Sequence, residues 1–184
     1  MESLKDVDLK ILFQLMKDSR ISDRQLAKRI GISQPTVTRR RTKLENNAID
    51  GYTAIPKWDK LGYGILAITL IKALHIFSAK KCLDIRKRGL QWLNTQPNVI
   101  MAGPCEGMGV NAFIISVHRD FSDHSDFMLK LRLEMAEFID DAQTVLVDLK
   151  GKERMKPLHL KYLTQTKQNL SQKDSGERLQ VFRR

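Results

Sequence analysis

Between Ile21 and Glu45 the chain reads ISDRQLAKRIGISQPTVTRRRTKLE, and Gly31 at its centre limits the folds open to this segment more than any other residue. On its N-terminal side Ser22 and Gln25 have the spacing of a capping box, in which the hydroxyl caps an end amide and the glutamine reaches back. A helix therefore starts near Asp23. Leu26, Ala27 and Ile30 recur three to four residues apart on one face, and Gly31 supplies the left-handed residue that ends the helix. On the other side Ser33 is a favoured N-cap, and Pro35 falls in a first turn, where its missing N–H has no helical acceptor to lose. The next helix runs from Gln34 to about Asn46, and the pair reads as a helix-turn-helix.

The inward face of that second helix needs positions 37, 41 and 44, which are Val37, Arg41 and Leu44. Arg41 fits if its stem lies on the core and its head reaches Glu45 or solvent. The outward face carries Gln34, Thr38, Arg39 and Thr42. Ahead of the pair, Val7, Ile11, Leu12 and Leu15 have helical spacing within Asp6 to Asp18, with aspartates where they complement the helix dipole. That makes a three-helix unit. Asn47 is placed to take a left-handed cap, and Ile49 to Pro56 reads as a wing or linker strand.

Beyond Gly64 the rhythm changes. Gly64 to Ile71 is a β-branched apolar run; Ser78 to Thr95 has helical spacing through Cys82, Ile85, Leu90 and Leu93; Val99 to Ala102 and Val110 to Val117 read as strands around a glycine-rich connection, Gly103 to Gly109. Ser122 to Ile139 is helical through Phe127, Leu131, Met135 and Phe138, and Gln143 to Leu149 alternates like a strand. Strand, helix, strand, strand, helix, strand is the ferredoxin-like order: an antiparallel sheet with two helices on one face. Its other face is left apolar and asks for a partner, most simply a second copy of the chain. The fold class is thus α+β.

Charge separates the same regions. The net +11 divides as +5 over residues 1–64, −1 over 65–149 and +7 over 150–184, as expected if both ends meet a polyanion. For the tail, a solvated extension is the alternative. No stretch reaches eighteen apolar residues and no charged-then-apolar leader opens the chain, so a cytoplasmic protein without a membrane segment is expected. Cys82 and Cys105 lack pairing or ligand spacing and read as small buried hydrophobes; the methionines read as core filler; the four histidines show no metal spacing. No nucleophile, phosphate loop or paired-carboxylate constellation stands out, so no catalytic residue, metal or cofactor is assigned.

The residues from Leu4 to Asp8, Arg20-Ile21-Ser22, Leu26-Ala27-Lys28, Gly31-Ile32-Ser33, Val37, Arg40, Leu44-Glu45 and Ile49 to Tyr52 together resemble the leucine-responsive and asparagine-synthase regulator (Lrp/AsnC, feast/famine) family of prokaryotes. The resemblance extends over about residues 4–164. It implies an N-terminal winged helix-turn-helix, a linker strand and a βαββαβ effector-sensing domain. It also implies dimers paired through their sheets, assembling further into tetramers or octamers, and transcriptional control by a bound amino acid. The corresponding division is residues 1–50 for the DNA-binding domain, 51–63 for the linker strand and hinge, 64–164 for the sensing and dimerisation domain, and 165–184 for a basic extension.

For contact with double-stranded DNA the residue types assign Gln34, Thr38 and Arg39 to base edges and Ser33, Thr36, Arg40 and Lys43 to phosphates. A dimer would present its two second helices to successive major grooves, with localisation at the nucleoid. Where the family turn carries Asp near the effector, this chain has Gly107, Gly109 and Asn111, and an asparagine offers no charge to an ammonium group; a hairpin bulge is the plainer reading of those glycines. Three functions compete: an effector-responsive transcription regulator, an effector-independent architectural DNA binder, and a tetrapyrrole decarboxylase of the same two-domain form. The triple-arginine second helix of the pair argues against the enzyme.

Overall fold

The computed structural model describes residues 4–74, 79–151 and 158–164, and divides into two compact units that are considered separately. The first contains α1 (Asp6–Lys17), α2 (Asp23–Ile30) and α3 (Gln34–Asn47). Ser22 and Gln25 form the expected capping box, and Gly31 ends α2 at φ 78° with its N–H on the Ala27 carbonyl. Ile11, Leu15, Ile21, Leu26, Val37 and Leu44 close into one buried core, flanked by Val7 and Ile49.

Three local expectations are corrected. Asn47 stays helical and donates its side-chain Nδ2–H to the Lys43 carbonyl at 2.8 Å, and the helix is capped by Ala48 at φ −144°, so no left-handed residue is used. Ser33 caps by position only, since its hydroxyl pairs with Thr36 Oγ1 at 2.8 Å instead of an end amide. Residues 49–57 form no strand among the described residues: a strand needs the N–H and C=O groups of a neighbour, and none runs alongside. Residues 160–162 form a 3₁₀ turn that packs on α1 within the helical unit. The basic extension 165–184 lies outside the described residues.

The second unit contains β1 (Ile65–Ala73), α4 (Ala79–Asn94), β2 (Val99–Gly107), β3 (Val110–His118), α5 (Phe121–Glu134) and β4 (Ile139–Asp148). The four strands pair antiparallel in the order β2-β3-β1-β4, the ferredoxin-like arrangement. Pairing decided the edges that periodicity left open. Residues 103–107 extend β2 because they find β3 opposite, leaving a tight turn at Met108-Gly109. β4 starts four residues earlier than expected because Ile139 to Ala142 complete the ladder against β1, and α5 ends correspondingly early.

Ile71, Trp92, Ile114, Phe127, Leu131 and Met135 make the core under the helices. Thr69 and Thr144 share a hydrogen bond on that side and both approach Met128 of α5, so Ile68, Leu70, Ile115 and Val145 point to the opposite face. Cys82 is exposed and Cys105 half-buried, Leu90 of α4 is 60% exposed, and Met101 and Met108 are exposed. Their expected burial fails because α4 covers the sheet only in part and the two methionines sit on the edge strand and its turn.

A histidine pair is enclosed at one end of this core. His118 is fully buried with Nε2 on Ser116 Oγ at 2.8 Å, its ring lies 5.1 Å from that of His124, and both His124 nitrogens are buried without a partner among the described residues. Burial holds both imidazoles below the ordinary value of 6.5; for His118 the neighbouring His124 adds to this, and Asp123 at 3.9 Å opposes it. As pH falls through 6.5 the unfolded chain takes protons that the folded unit refuses, so folding stability should drop with acidification and be restored on returning above that value. Thermal melts across the histidine range test this. His124→Phe should flatten the acid slope, and an undiminished slope would remove His124 from the account.

Candidate nucleic-acid interface

The helix α3 is seated by Val37 and Leu44, both buried. Position 40 lies three residues from 37 and four from 44, and position 41 four and three, so both arginines stand beside the core. The remaining side exposes Gln34, Thr38, Arg39, Thr42 and Lys43. Three consecutive arginines therefore meet three environments.

Arg39 is exposed and engages no partner among the described residues. Arg40 turns inward: its Nη1–H donates to Asp8 Oδ1 at 2.8 Å, Asp8 is 5% exposed, and Arg40 Nε is buried without an acceptor among the described residues. Helical geometry aims the Arg40 guanidinium, expected at a phosphate, toward α1, where the buried Asp8 carboxylate holds it. Arg41 behaves as anticipated. Its Nε–H donates to Glu45 at 3.0 Å and its Nη1–H to Asp23 and the Ile21 carbonyl, each at 3.1 Å, while the Tyr52 ring lies 5.6 Å away. Burial pulls the Arg41 guanidinium down, but the bonds to Glu45 and Asp23 outweigh it and hold the group above its ordinary value. The Tyr52 hydroxyl donates to Glu45 at 2.8 Å, and burial followed by that bond pushes the phenol up.

Of the base-edge candidates, Gln34 and Arg39 keep their side-chain polar groups unengaged among the described residues. Thr38 is exposed, but its hydroxyl donates to Asp23 at 2.6 Å. Of the phosphate candidates, Ser33 and Thr36 form a hydroxyl pair at the N-terminus of α3, where the first amides of a helix are unpaired, and Lys43 is exposed one turn before the helix end. The residues sequence inspection missed are the acids Asp8 and Asp23. Asp23 is shared by α2 and α3 and fixes the crossing of the pair, whereas Asp8 lies 32 residues from its partner and left no local signal. In the other unit, Gly107 at φ 128° and Gly109 at φ 74° shape the β2–β3 turn, while Asn111 accepts the Ala73 N–H on Oδ1 at 2.9 Å.

The pattern of the winged helix-turn-helix DNA-binding family matches residues 4–47, the whole of the three-helix unit. The leucine-responsive regulatory protein of Rhizobium meliloti is 30% identical over 145 residues, spanning 78% of this chain and 88% of that protein. The chain belongs to the Lrp/AsnC family of transcriptional regulators. The Lrp/AsnC regulator LrpC of Bacillus subtilis is 32% identical over 124 residues, 64% of this chain and 81% of that one. A transcriptional regulator of Neisseria meningitidis, solved as an L-methionine complex, superposes with a TM-score of 0.69 over 88% of this chain and 99% of its own; at 23% identity it supports the shared two-domain fold. As an Lrp/AsnC member the protein is a DNA-binding transcriptional regulator, and the relatives that match it are named as regulators. Among the described residues no helix is long and apolar enough to cross a membrane.

Proposed function

We propose that this Lrp/AsnC regulator reads a pseudo-palindromic operator as a homodimer, with Gln34, Thr38 and Arg39 at base edges and Ser33, Thr36 and Lys43 at phosphates. The observation that carries the reading is the division of the arginine run: Arg40 and Arg41 brace the helix from behind while Arg39 remains outward and unengaged among the described residues. A recognition helix needs both, a rigid back and a free polar front. The helix N-terminus at Ser33 to Thr36 adds the orphan amides that favour phosphate oxygens.

Dimerisation uses the sheet face away from the helices, where Ile68, Leu70, Ile115 and Val145 form an apolar surface, Val145 being 58% exposed. Two such faces stacked back to back bury each other, and dimers of this kind assemble further into tetramers or octamers. The site of action is the cytoplasm, on the nucleoid, without catalysis. An amino acid is the expected effector, supported by the L-methionine complex of the Neisseria protein. Selection of bound fragments from a random DNA pool, followed by gel shift with and without a panel of amino acids, tests the reading. Two half-sites about one helical turn apart are expected; recovered sequences without a shared motif would sink it.

The basic extension is proposed to hold DNA non-specifically. The described chain ends at Thr164, which is buried, in the same unit as α3, and residues 165–184 carry five Lys and Arg against two acids. Deleting 165–184 should weaken binding to all sequences and reduce the slope of log K against log salt by about 0.9 for each phosphate that the extension neutralises. An unchanged slope would make the extension a bystander.

A further inference from the structure

Between α4 and the sheet of the second unit lies a cavity of about 850 Å³. The pocket is partly open to solvent, and its volume falls within the range of small-molecule sites. Its wall is mainly apolar: Ile85 and Leu93 from α4, Ile71 and Ile114 from the sheet, Leu131 from α5 and Phe138 just after it. Besides the Cys82 thiol and the Trp92 ring, the polar side chains lining it are Arg86 and Asn111, each with an N–H donor that has no partner among the described residues.

Those donors are unmatched within the described chain. Trp92 is 6% exposed and contributes its ring to the wall, with the indole N–H buried away from the pocket. The Arg86 guanidinium has no hydrogen bond or ion pair among the described residues. Asn111 uses its oxygen on the Ala73 N–H, which leaves its amide hydrogens as the end offered to a ligand. No Asp or Glu among the described residues lines the cavity, so an anion is matched there and an ammonium group has no counter-charge.

We propose that this cavity binds a small amphipathic carboxylate, an apolar chain ending in one acid group and bearing no ammonium, with Arg86 and Asn111 as the donors available to its oxygens. Its chemistry differs from that of an amino-acid effector, whose ammonium would be stranded against an apolar wall. The residues that line the site all come from one chain.

The test uses the full chain carrying Trp58→Phe, which leaves Trp92 as the sole indole fluorophore. Titration with decanoate should change Trp92 emission saturably, and decylamine over the same range should not. In the same background Arg86→Gln should weaken decanoate about tenfold through loss of the charge-assisted bond, while Arg86→Lys retains most of the affinity. Arg86 is exposed, so neither change disturbs packing. Absence of saturation, equal responses to decanoate and decylamine, or unaltered affinity in Arg86→Gln would each overturn the proposal. Binding is read without DNA, so failure here leaves the operator reading untouched.

Discussion

Replacing Asp8 with alanine is expected to destabilise the helical unit by about 3 kcal/mol, the low end of what breaking a buried ion pair costs. Asp8 is 5% exposed and its carboxylate holds Arg40 from a helix two elements away. Removing it leaves a guanidinium beside Val37 and Leu44 whose Nε already lacks an acceptor among the described residues. The low end applies because the Arg40 side chain is 25% exposed and part of it can rehydrate. Arg40→Met should cost at least as much, because it strands the more deeply buried partner. Asp8→Leu combined with Arg40→Met should recover most of the loss, since two apolar side chains leave no charge to desolvate. Urea unfolding followed by helical circular dichroism measures all three. A change below about 1 kcal/mol for Asp8→Ala would place the pair among weak surface bridges. The same variants should lower DNA affinity uniformly across sequences, because a loosened α3 mispositions every DNA-facing group at once.

Arg39→Ala should leave stability unchanged and relax preference at one operator position by about 1 to 3 kcal/mol, the worth of a bidentate arginine on guanine. The adjacent pair thus separates in two assays: position 40 is read by unfolding and position 39 by sequence selectivity. The physical reason is the turn of about 100° per residue between them, which carries one guanidinium toward α1 and the other away from the core. Lys43→Ala should instead weaken all sequences alike and reduce the salt slope by about one. If Arg39→Ala behaves like Lys43→Ala, Arg39 meets phosphate and the base assignment moves to Gln34. A loss of folding in Arg39→Ala would contradict its exposed placement.

The sequence by itself determined the parts of this protein that local physics controls. The Ser22–Gln25 box, the positive φ at Gly31 and the Pro35 first turn each act within a few residues, and all three stand where their neighbours in the chain put them. The alternation of apolar runs likewise sufficed for the βαββαβ order, because period and turn residues specify element type before tertiary packing forms. The glycine connection, the start of β4 and the absent linker strand were legible only in part, since a strand edge is set by whether a neighbour offers a ladder. Arg40 shows the limit most directly: its place on the helix made it a phosphate candidate, and only the tertiary structure brings it against Asp8, 32 residues away. The cavity under α4 belongs to the same class of fact. Spacing identified Cys82, Ile85, Leu90 and Leu93 as one helical face, but how closely that face meets the sheet depends on the packing of α4 and α5 together, which the tertiary structure alone decides.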